Sequence, residues 1–383
     1  MFKRFSGAAA ALDMLIDCCL PLRGTEILQT VMAEGRVLSQ DVVSAVSLPA
    51  FDRAAMDGFA VHSGQTLGAK PHAPVFLEKF LPMRTGMPVP ADFDAVVMLE
   101  DADRHDSVLE VTAQMHPYKN VSRVGEDIST GDTVLSEGHA LRPPDLALLS
   151  ALGIAEVQVY VRPKVVIIPT GGKLLEIGSR ALLAGEAYEI NGLMARLYAE
   201  KWGASATKTG IVPDDESLVR EALKANEDAD LIIIIGGTSI GEKDYAPKVL
   251  SEMGELFAHG VRLQPGKPTA IGAVAGRPVV CLPGYPVAML MDLYFFVRPA
   301  LQKIGHRNDH QPAVKVKLAR KIPSRPGYLS LVRVALKDDE ADPIMISGAG
   351  ILSSVARADG FVIVSEEKEG LEAGETVDVL LFE

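Results

Sequence analysis

Cysteine is scarce in this chain: among 383 residues there are three, Cys18, Cys19 and Cys281. An odd number without paired spacing argues against a disulfide framework, and no two of them form the CxxC pattern of a zinc site. Long apolar runs are missing as well, because no uncharged stretch approaches the ~18 residues that a bilayer-spanning helix needs. We therefore expect a cytoplasmic protein with no membrane partner.

Positive charge is also in short supply. The chain has 38 lysines and arginines against 50 aspartates and glutamates, which gives a net charge of −12. Such a surface repels nucleic acid, so we expect no nucleic-acid partner, and any polyanionic substrate has to be held by a local pocket. The Walker, GxSxG, HExxH and dinucleotide-binding signatures are all absent, so none of these common motifs defines the chemistry.

What the chain does contain is a globular composition, with 48% hydrophobic and 23% charged residues. Its length predicts two to four domains. Near the N-terminus, Lys3 and Arg4 precede the apolar residues 7–12, as they would in a signal peptide. Asp13 and Asp17 interrupt this run while the apolar positions keep helical spacing, which favours an amphipathic helix.

Composition and periodicity divide the rest of the chain into further parts. Residues 1–45 are expected to form two helices, the second from Gly24 to Leu38, and to pack with residues 128–161 as an N-terminal helical domain. Within the latter range, prolines 143 and 144 open a helix that Gly153 ends, and a strand follows. Residues 46–127 are turn-rich and lack a long helical period, which predicts a β-rich domain inserted into the first.

Residues 162–306 alternate strands with helices, which predicts a doubly wound α/β domain. Leu231–Ile235 is apolar throughout, as expected for a strand buried on both faces of a parallel sheet. Residues 307–383 lean toward alternation and predict a small C-terminal β-domain, sheet or barrel. The fold class is therefore multidomain α/β. In the α/β domain we expect strands at 164–168, 231–235 and 278–282 and helices at 191–202 and 286–301, with one more that Asp214 or Asp215 caps.

Ligands of a doubly wound domain bind where loops leave the carboxyl ends of the strands. After the second strand come Gly236, Gly237, Thr238, Ser239 and Gly241, whose backbone N–H groups and hydroxyls suit a phosphate, and a helix begins near Asp244. A carboxylate in an anion cradle indicates a cation, hence a metal-assisted site. The alternative is a glycine-rich turn in which Asp244 is only a helix cap.

Two other loops and one turn are unusual. Thr170 and Lys173 follow the first strand, and Pro283, Gly284 and Pro286 follow the third, where two prolines around a glycine fix the backbone. The alternative is a tight strand-to-helix turn with proline at the first helical position. Residues 264–268 form a rigid turn that presents Lys267, either to an anion or to solvent.

Outside the α/β domain, polar residues interrupt apolar neighbours at four places. In residues 48–61, two aspartates, an arginine and a glycine stand among apolar residues in a stretch without periodicity, and the alternative there is a domain-entry loop with a local Asp–Arg pair. The four are Asp57 in 48–61, Thr85 in 84–90, Glu100, and Asp127 in 125–128.

Taken in order, these segments resemble the MoeA family of molybdopterin molybdenumtransferases, which includes the E domain of gephyrin. Six matches run through most of the chain. They are residues 54–61 (AAMDGFAV), 85–90 (TGMPVP) followed by 95–100 (AVVMLE), 125–129 (GEDIS), 236–241 (GGTSIG) with Asp244, 265–268 (PGKP), and 282–284 (LPG) with Pro286, followed by Ser347-Gly348 near the end.

The resemblance implies an elongated homodimer whose α/β domain binds molybdopterin opposite residues 55–58 of the other subunit. It implies adenylylated molybdopterin and molybdate as substrates, AMP and molybdenum cofactor as products, Mg²⁺ as cofactor, and a molybdopterin adenylyltransferase as a partner. Carried over by residue, the expected catalytic residues are Asp57, Thr85, Asp127 and Asp244, the last also the candidate metal ligand. The expected substrate-binding residues are Gly236, Gly237, Thr238, Ser239, Gly241, Lys267, Pro283, Gly284, Pro286, Glu100, Thr170 and Lys173.

The sequence departs from the family pattern at three places. Gly172 and Lys173 stand where the family usually has two acids, Gln264 stands where it has lysine, and Tyr285 stands where it usually has asparagine. Losing two carboxylates and gaining a cation makes the first loop more positive. The alternatives to an active enzyme are a non-catalytic molybdopterin-binding or scaffold paralogue and a tungstate-specific insertase.

Overall fold

The computed structural model describes residues 5–238, 245–344, 348 and 350–382. The first helix, α1 (Ala8–Cys18), has one buried face, as its periodicity predicts. The expectation that α1 packs within an N-terminal helical domain is wrong. Its face of Ala8, Ala11 and Leu15 joins the core of the α/β domain, because small side chains let it lie close to that sheet. The backbone of Leu22 then donates a hydrogen bond of 2.9 Å to Ile304.

The helix predicted from Gly24 to Leu38 is absent. Residues Thr25–Gln29 are strand β1, a 3-10 turn follows at Thr30–Met32, and β2 spans Val42–Val43. The reason is non-local pairing: β1 forms an antiparallel ladder with residues 156–160, and the ladder satisfies backbone groups that a helix would have satisfied internally.

The segment 46–127 is built from short strands, as predicted. It has two small hydrophobic cores made from residues 54–121, one on each side of a three-stranded sheet whose middle strand pairs with both neighbours. The strands are β3 (Arg53–Ala54), β4 (Gly58–Val61), β5 (Val75–Leu77), β6 (Leu81–Met83), β7 (Ala95–Met98), β8 (Ala102–His105), β9 (Val108–Val111) and β10 (Val121–Ser122). Short 3-10 turns cover Ser63–Thr66 and Leu99–Asp101.

The chain then returns to its N-terminal strands. Strand β11 (Thr133–Leu135) pairs with β2, helix α2 (Pro143–Ala151) follows, and β12 (Glu156–Tyr160) pairs with β1. Leu38, Leu149 and Val157 share one core, so the two stretches fold together around the 46–127 segment. The exact limits of these domains stay a prediction.

The α/β domain contains a mostly parallel six-stranded sheet with helices on both faces, as predicted. The strands of the sheet are β13 (Lys164–Pro169), β16 (Ser205–Lys208), β17 (Leu231–Ile235), β18 (Glu255–His259), β20 (Ala270–Val274) and β21 (Arg277–Leu282). Their order in the sheet is β16-β13-β17-β21-β20-β18, and the first four are parallel. The short pair β14 (Leu174–Leu175) and β15 (Ala187–Tyr188) and the strand β19 (Leu263–Gln264) lie outside the sheet. The helices are α3 (Asn191–Lys201), α4 (Glu216–Lys224), α5 (Tyr245–Met253), α6 (Pro286–Asp292) and α7 (Arg298–Ile304), with a π-helical turn at Leu293–Val297 that joins the last two.

The C-terminal part is a small β-barrel, one of the two forms that the sequence predicts. Its elements are β22 (Ala313–Leu318), β23 (Ile322–Pro323), β24 (Leu329–Lys337), β25 (Glu340–Pro343), α8 (Leu352–Ala356), β26 (Gly360–Val364), β27 (Gly370–Leu371) and β28 (Thr376–Leu381). Five of these strands form a closed ring, because β24 pairs with both β25 and β26 and the ring continues through β22 and β28. Strand β19 of the preceding domain adds to the edge of β24, which brings the two domains together. Within the described residues, no helix is both long and apolar enough to cross a membrane.

Candidate functional site

The three loops singled out by the sequence meet at one edge of the sheet. They follow β13, β17 and β21, which are neighbouring parallel strands, so their carboxyl ends lie side by side. Gly236 donates its N–H to the carbonyl of Leu282, and a Cβ at Gly236 would lie 2.6 Å from the carbonyl oxygen of Thr170. Since the backbones approach this closely and φ is +96° at Gly236, the position requires glycine.

Beside this junction lies a cavity of about 750 Å³, which we call cavity A. Its wall comes from the loops after β13 and β21 and from the segment that enters α3. The lining residues are 169–174, 187–191, 213–214, Ile235, Gly284 and Pro286. Of the predicted site residues, it therefore contains Thr170, Lys173, Gly284 and Pro286. Gly236 and Gly237 lie next to it, and Thr238 is buried. Ser239, Gly241 and Asp244 lie outside the described residues.

Cavity A also contains three polar residues that the sequence interpretation missed as site residues. Glu189 is buried, and its Oε1 accepts an N–H from Gly192 at 2.6 Å while its Oε2 lies 3.6 Å from Lys208. Asn191 is nearly buried, and its Oδ1 has no hydrogen-bond partner. Asp214 accepts the N–H of Gly172 at 3.0 Å.

A signal for Asp214 was present in the sequence. Two aspartates precede α4, yet a helix needs one N-cap, and Asp215 fills that role by accepting from Ser217 and Leu218. The side chain of Asp214 is therefore not needed as the N-cap of α4. No comparable sequence signal distinguishes Glu189 or Asn191, because both lie around the start of α3, where polar residues are common for capping alone.

Lys267 belongs to a second cavity, of about 540 Å³, which we call cavity B. It lies between the α/β domain and the barrel, and its lining residues are 263–268, Pro283, Tyr285, Ala288, Pro323, Arg325, 330–333 and Gly348. Its charged lining residues are Lys267, Arg325 and Arg333, and none of the residues that line it is acidic. Lys267 and Arg325 both lie over the ring of Tyr328, at 4.8 and 4.9 Å from its centroid. Burial lowers the pKa of Arg333, which remains a cation at neutral pH.

The loop 283–286 is the wall between the two cavities. Gly284 and Pro286 face cavity A, whereas Pro283 and Tyr285 face cavity B. Asn191 donates its side-chain N–H to the carbonyl of Gly284 at 2.7 Å, which attaches the wall to the start of α3. Lys267 therefore lies beside only the third of the three predicted loops.

The acidic residues of the 46–127 segment form a separate group. Gly58, the first residue of β4, pairs with Met83 at the end of β6 and with Met98 at the end of β7. Asp57 comes just before β4, and Thr85 and Glu100 come just after β6 and β7. All three residues therefore lie at the same edge of this small sheet. Asp57 Oδ1 accepts hydrogen bonds from Thr85, from its backbone N–H at 2.7 Å and from its hydroxyl at 3.0 Å. Hydrogen bonding to the backbone and then to the side chain of Thr85 holds the pKa of Asp57 below its usual value.

All four predicted residues of this segment are exposed, including Asp127, whose backbone N–H donates to Leu48. The lining of cavity A and that of cavity B contain no residue of the 46–127 segment. Within one chain, the acidic group and the two cavities are therefore distinct surfaces.

Comparison with known proteins covers nearly the whole chain. Residues 7–153 match the family profile "MoeA N-terminal region (domain I and II)", residues 166–303 match "Probable molybdopterin binding domain", and residues 315–382 match "MoeA C-terminal region (domain IV)".

Individual relatives agree with these profiles. The molybdopterin molybdenumtransferase 2 of Mycobacterium tuberculosis is 34% identical over 376 residues, which is 91% of this chain and 92% of the relative. The molybdopterin molybdenumtransferase of Haemophilus influenzae is 31% identical over 380 residues, 94% of each chain. Among solved structures, the molybdopterin biosynthesis moeA protein of Pyrococcus horikoshii aligns with a TM-score of 0.88 and 31% identity over 99% of this chain and 100% of that one.

Proposed function

The chain belongs to the MoeA family, and on this basis we propose that it is a molybdopterin molybdenumtransferase, an enzyme of molybdenum cofactor biosynthesis. It takes adenylylated molybdopterin and molybdate and releases AMP and molybdenum cofactor. The observation that carries the proposal is the convergence of the loops after β13, β17 and β21 beside cavity A, in a chain of which a named relative covers 94%. The sequence-based hypothesis of an enzyme of this family agrees with how the relatives are named.

We assign molybdopterin to cavity A. The glycine backbones at its edge allow close approach of a phosphate. Asp214 and Glu189 provide carboxylate oxygens and Asn191 an amide oxygen, all acceptors that suit the N–H donors of a pterin ring. Lys173 adds one positive charge for the anionic part of the substrate.

We assign the oxyanion to cavity B, and this assignment gives Lys267 its role in substrate binding. A pocket with three cationic residues and no acidic one in its lining attracts a dianion, although the chain as a whole is negative. The two cavities share the 283–286 wall, so the pterin and the oxyanion would approach each other across it.

Magnesium is a weaker fit. Within the described residues there is no group of three His, Cys, Asp or Glu side chains that could hold a metal ion, and Gly172 and Lys173 replace the two acids of the family pattern. The described part of the chain therefore has no magnesium centre built from three such protein ligands. The proposal of Mg²⁺ rests on the sequence position of Asp244, together with the preference of Mg²⁺ for one or two carboxylates plus substrate phosphates.

We also propose a cytoplasmic homodimer with shared sites. The acidic group around Asp57 and the two cavities do not meet within one chain, and a second subunit in a symmetric dimer could bring them together. In this arrangement Asp57, Thr85, Glu100 and Asp127 of one subunit complete cavity A of the other. Because the pterin substrate arrives adenylylated, a molybdopterin adenylyltransferase is the proposed supplier and partner.

The experiment that tests the function uses purified protein, adenylylated molybdopterin, Mg²⁺ and either molybdate or tungstate. AMP release with cofactor formation from molybdate supports the proposal. Tight pterin binding without release would favour the non-catalytic paralogue, and turnover with tungstate alone would favour a tungstate-specific insertase.

The same assay tests the oxyanion assignment. Lys267→Ala should raise the KM for molybdate about tenfold, because a charge-assisted hydrogen bond contributes roughly 1.5–3 kcal/mol. The matched control is Lys321→Ala, which removes an exposed lysine of the barrel side that pairs with Glu372 and does not line cavity B. Equal effects of the two changes would contradict the assignment.

A further inference from the structure

Asp292, the last residue of α6, is a fully buried carboxylic acid with no role in either cavity lining. The hydroxyl of Thr269 donates to its Oδ2 at 2.5 Å, and its Oδ1 has no hydrogen-bond partner. Burial raises the pKa of Asp292 well above its usual range. A buried polar atom without a partner costs free energy, so an acid at this position calls for an explanation other than fold stability.

The carboxyl group lies directly beneath the turn that carries Lys267. A Cβ at Gly266 would lie 2.3 Å from Asp292 Oδ1, so the backbone of Gly266 packs directly against this oxygen. Two residues after Lys267, Thr269 binds the other oxygen. Asp292 thus contacts the turn at Gly266, immediately before Lys267, and at Thr269, two residues after it.

Backbone hydrogen bonds also hold this turn, among them one of 3.0 Å from the N–H of Gly260 to the carbonyl of Thr269. Thr269 donates its N–H to the carbonyl of Gly266 at 3.1 Å, which is internal to the turn, and Val261 donates to the carbonyl of Lys267 at 3.0 Å. The Asp292–Thr269 hydrogen bond is a side-chain link between this turn and α6, the helix that begins at the wall between the cavities.

We propose that Asp292 is a positioning residue for oxyanion binding, which holds the 266–269 turn so that Lys267 faces cavity B. This inference rests on the proposed oxyanion site in that cavity. Asp292 does not touch the anion. It acts through Thr269 and through its contact with Gly266.

The test compares variants that keep or remove the hydrogen bond. Asp292→Leu has nearly the same shape but cannot accept a hydrogen bond, and Thr269→Val removes the donor from the other side. Each should weaken molybdate binding about tenfold, measured by calorimetry and as KM, while kcat at saturating molybdate stays within about twofold. The double variant should bind molybdate no more weakly than either single variant, because all three variants lose the same hydrogen bond.

Asp292→Asn keeps an acceptor for Thr269 and should restore binding to within about twofold of the wild type. Val249→Ala, a core change on the other face of the sheet, controls for general destabilisation. If Asp292→Leu fails to fold, Thr269→Val and Asp292→Asn still decide the question.

Three results would overturn the inference. The first is wild-type molybdate affinity in Asp292→Leu or Thr269→Val, and the second is a double variant whose loss is the product of the two single losses. The third is a loss of molybdate affinity in Lys267→Ala without a loss in the Asp292 and Thr269 variants. That result would overturn this inference but not the proposed function. Absence of any molybdate binding by the wild-type protein would instead overturn the proposed function, and the inference with it.

Discussion

Asn191 donates a 2.7 Å hydrogen bond to the backbone carbonyl of Gly284, and this bond joins the first residue of α3 to the wall between cavities A and B. Gly284 itself has open space around it, since a Cβ there would have only the Cα of Gly236 within 4 Å, at 3.8 Å. Packing around Gly284 therefore does little to fix this part of the wall, although Pro283 beside it is buried, and the amide of Asn191 helps to orient it.

Asn191→Ala should consequently lower kcat about tenfold while the binding of molybdate alone changes less than about threefold. The reason is that cavity B keeps its lining, whereas cavity A loses one acceptor for the pterin and the wall no longer holds one orientation between the bound groups. Single-turnover kinetics and separate binding measurements would show the division. The control is Asn226→Ala, which removes a similar side-chain bond to the carbonyl of Ala222. Equal losses of kcat in both variants would point to general destabilisation instead.

The shared dimeric site makes a complementation prediction. Asp57→Ala and Asp244→Ala proteins should each be inactive, and their mixture should regain about one quarter of the wild-type activity, because half of randomly mixed dimers carry one intact site. Mass spectrometry of the mixture would confirm subunit exchange.

The matched control for this mixture is Asp57→Ala with Thr85→Ala. Both residues belong to the same hydrogen-bonded group, so every heterodimer of these two variants has an altered acidic group at both sites, and this mixture should not regain activity. No recovery in the first mixture after confirmed exchange would contradict the shared site.

The altered first loop predicts the outcome of restoring the family's acids. Gly172→Asp with Lys173→Glu should weaken binding of adenylylated molybdopterin about tenfold and leave turnover no better. A Cβ at Gly172 would lie 3.5 Å from Asp214 Oδ2, so the new carboxylate would stand beside an existing one, and the cation at Lys173 would be lost. Binding and AMP release are the measurements.

Lys224→Glu, a charge reversal in the last turn of α4, is the control for the change in net charge. A clear gain of turnover in the double variant would show that the natural loop is a decayed one, and would favour the non-catalytic paralogue for the wild type.

Asp145 predicts how stability depends on pH. Hydrogen bonds from Arg142, followed by those from His139, hold the pKa of this buried carboxyl well below its usual range. Because the pKa is lowered in the folded state, the stabilisation is fully present above the ordinary aspartate pKa of about 4 and is lost as the pH falls toward the folded value. Wild type should exceed Asp145→Asn by about 1–2 kcal/mol in free energy of unfolding at pH 6, the usual range for a helix N-terminal contact. Urea unfolding between pH 6 and pH 3 should show the difference shrinking below pH 4, and a constant difference would contradict the assignment.

Much of the fold could be predicted from sequence where the signal is local. The apolar run 231–235 indicated a central parallel strand, and the rule that ligands bind at carboxyl ends of strands brought three loops together correctly. Strand β1 was mistaken for a helix because its partner β12 is about 130 residues away, and periodicity within a short window contains no information about such a partner.

The candidate site shows the same limit. Gly284 and Pro286, which line cavity A, could be singled out because glycine and proline after a strand are visible in the sequence. That Lys267 lies in a different cavity from Lys173 could not be foreseen, because the separation depends on how the barrel docks against β19. Asp292 gave no signal either, since an acid within a helix is ordinarily solvated and only the packed structure shows that it is enclosed.

The placement of α1 has a consequence for how the chain folds during synthesis. Its apolar face is covered by residues of the α/β domain that extend to Ile304, nearly three hundred positions later. While the ribosome makes the intervening segments, this helix has no native surface to bind, so its docking has to be a late, long-range event, whereas the small sheets of residues 46–127 can form as they emerge. An excised α/β domain that starts at Pro163 would leave the contact surface of α1 open to water, and adding residues 5–22 as a separate peptide should restore what the excision removed.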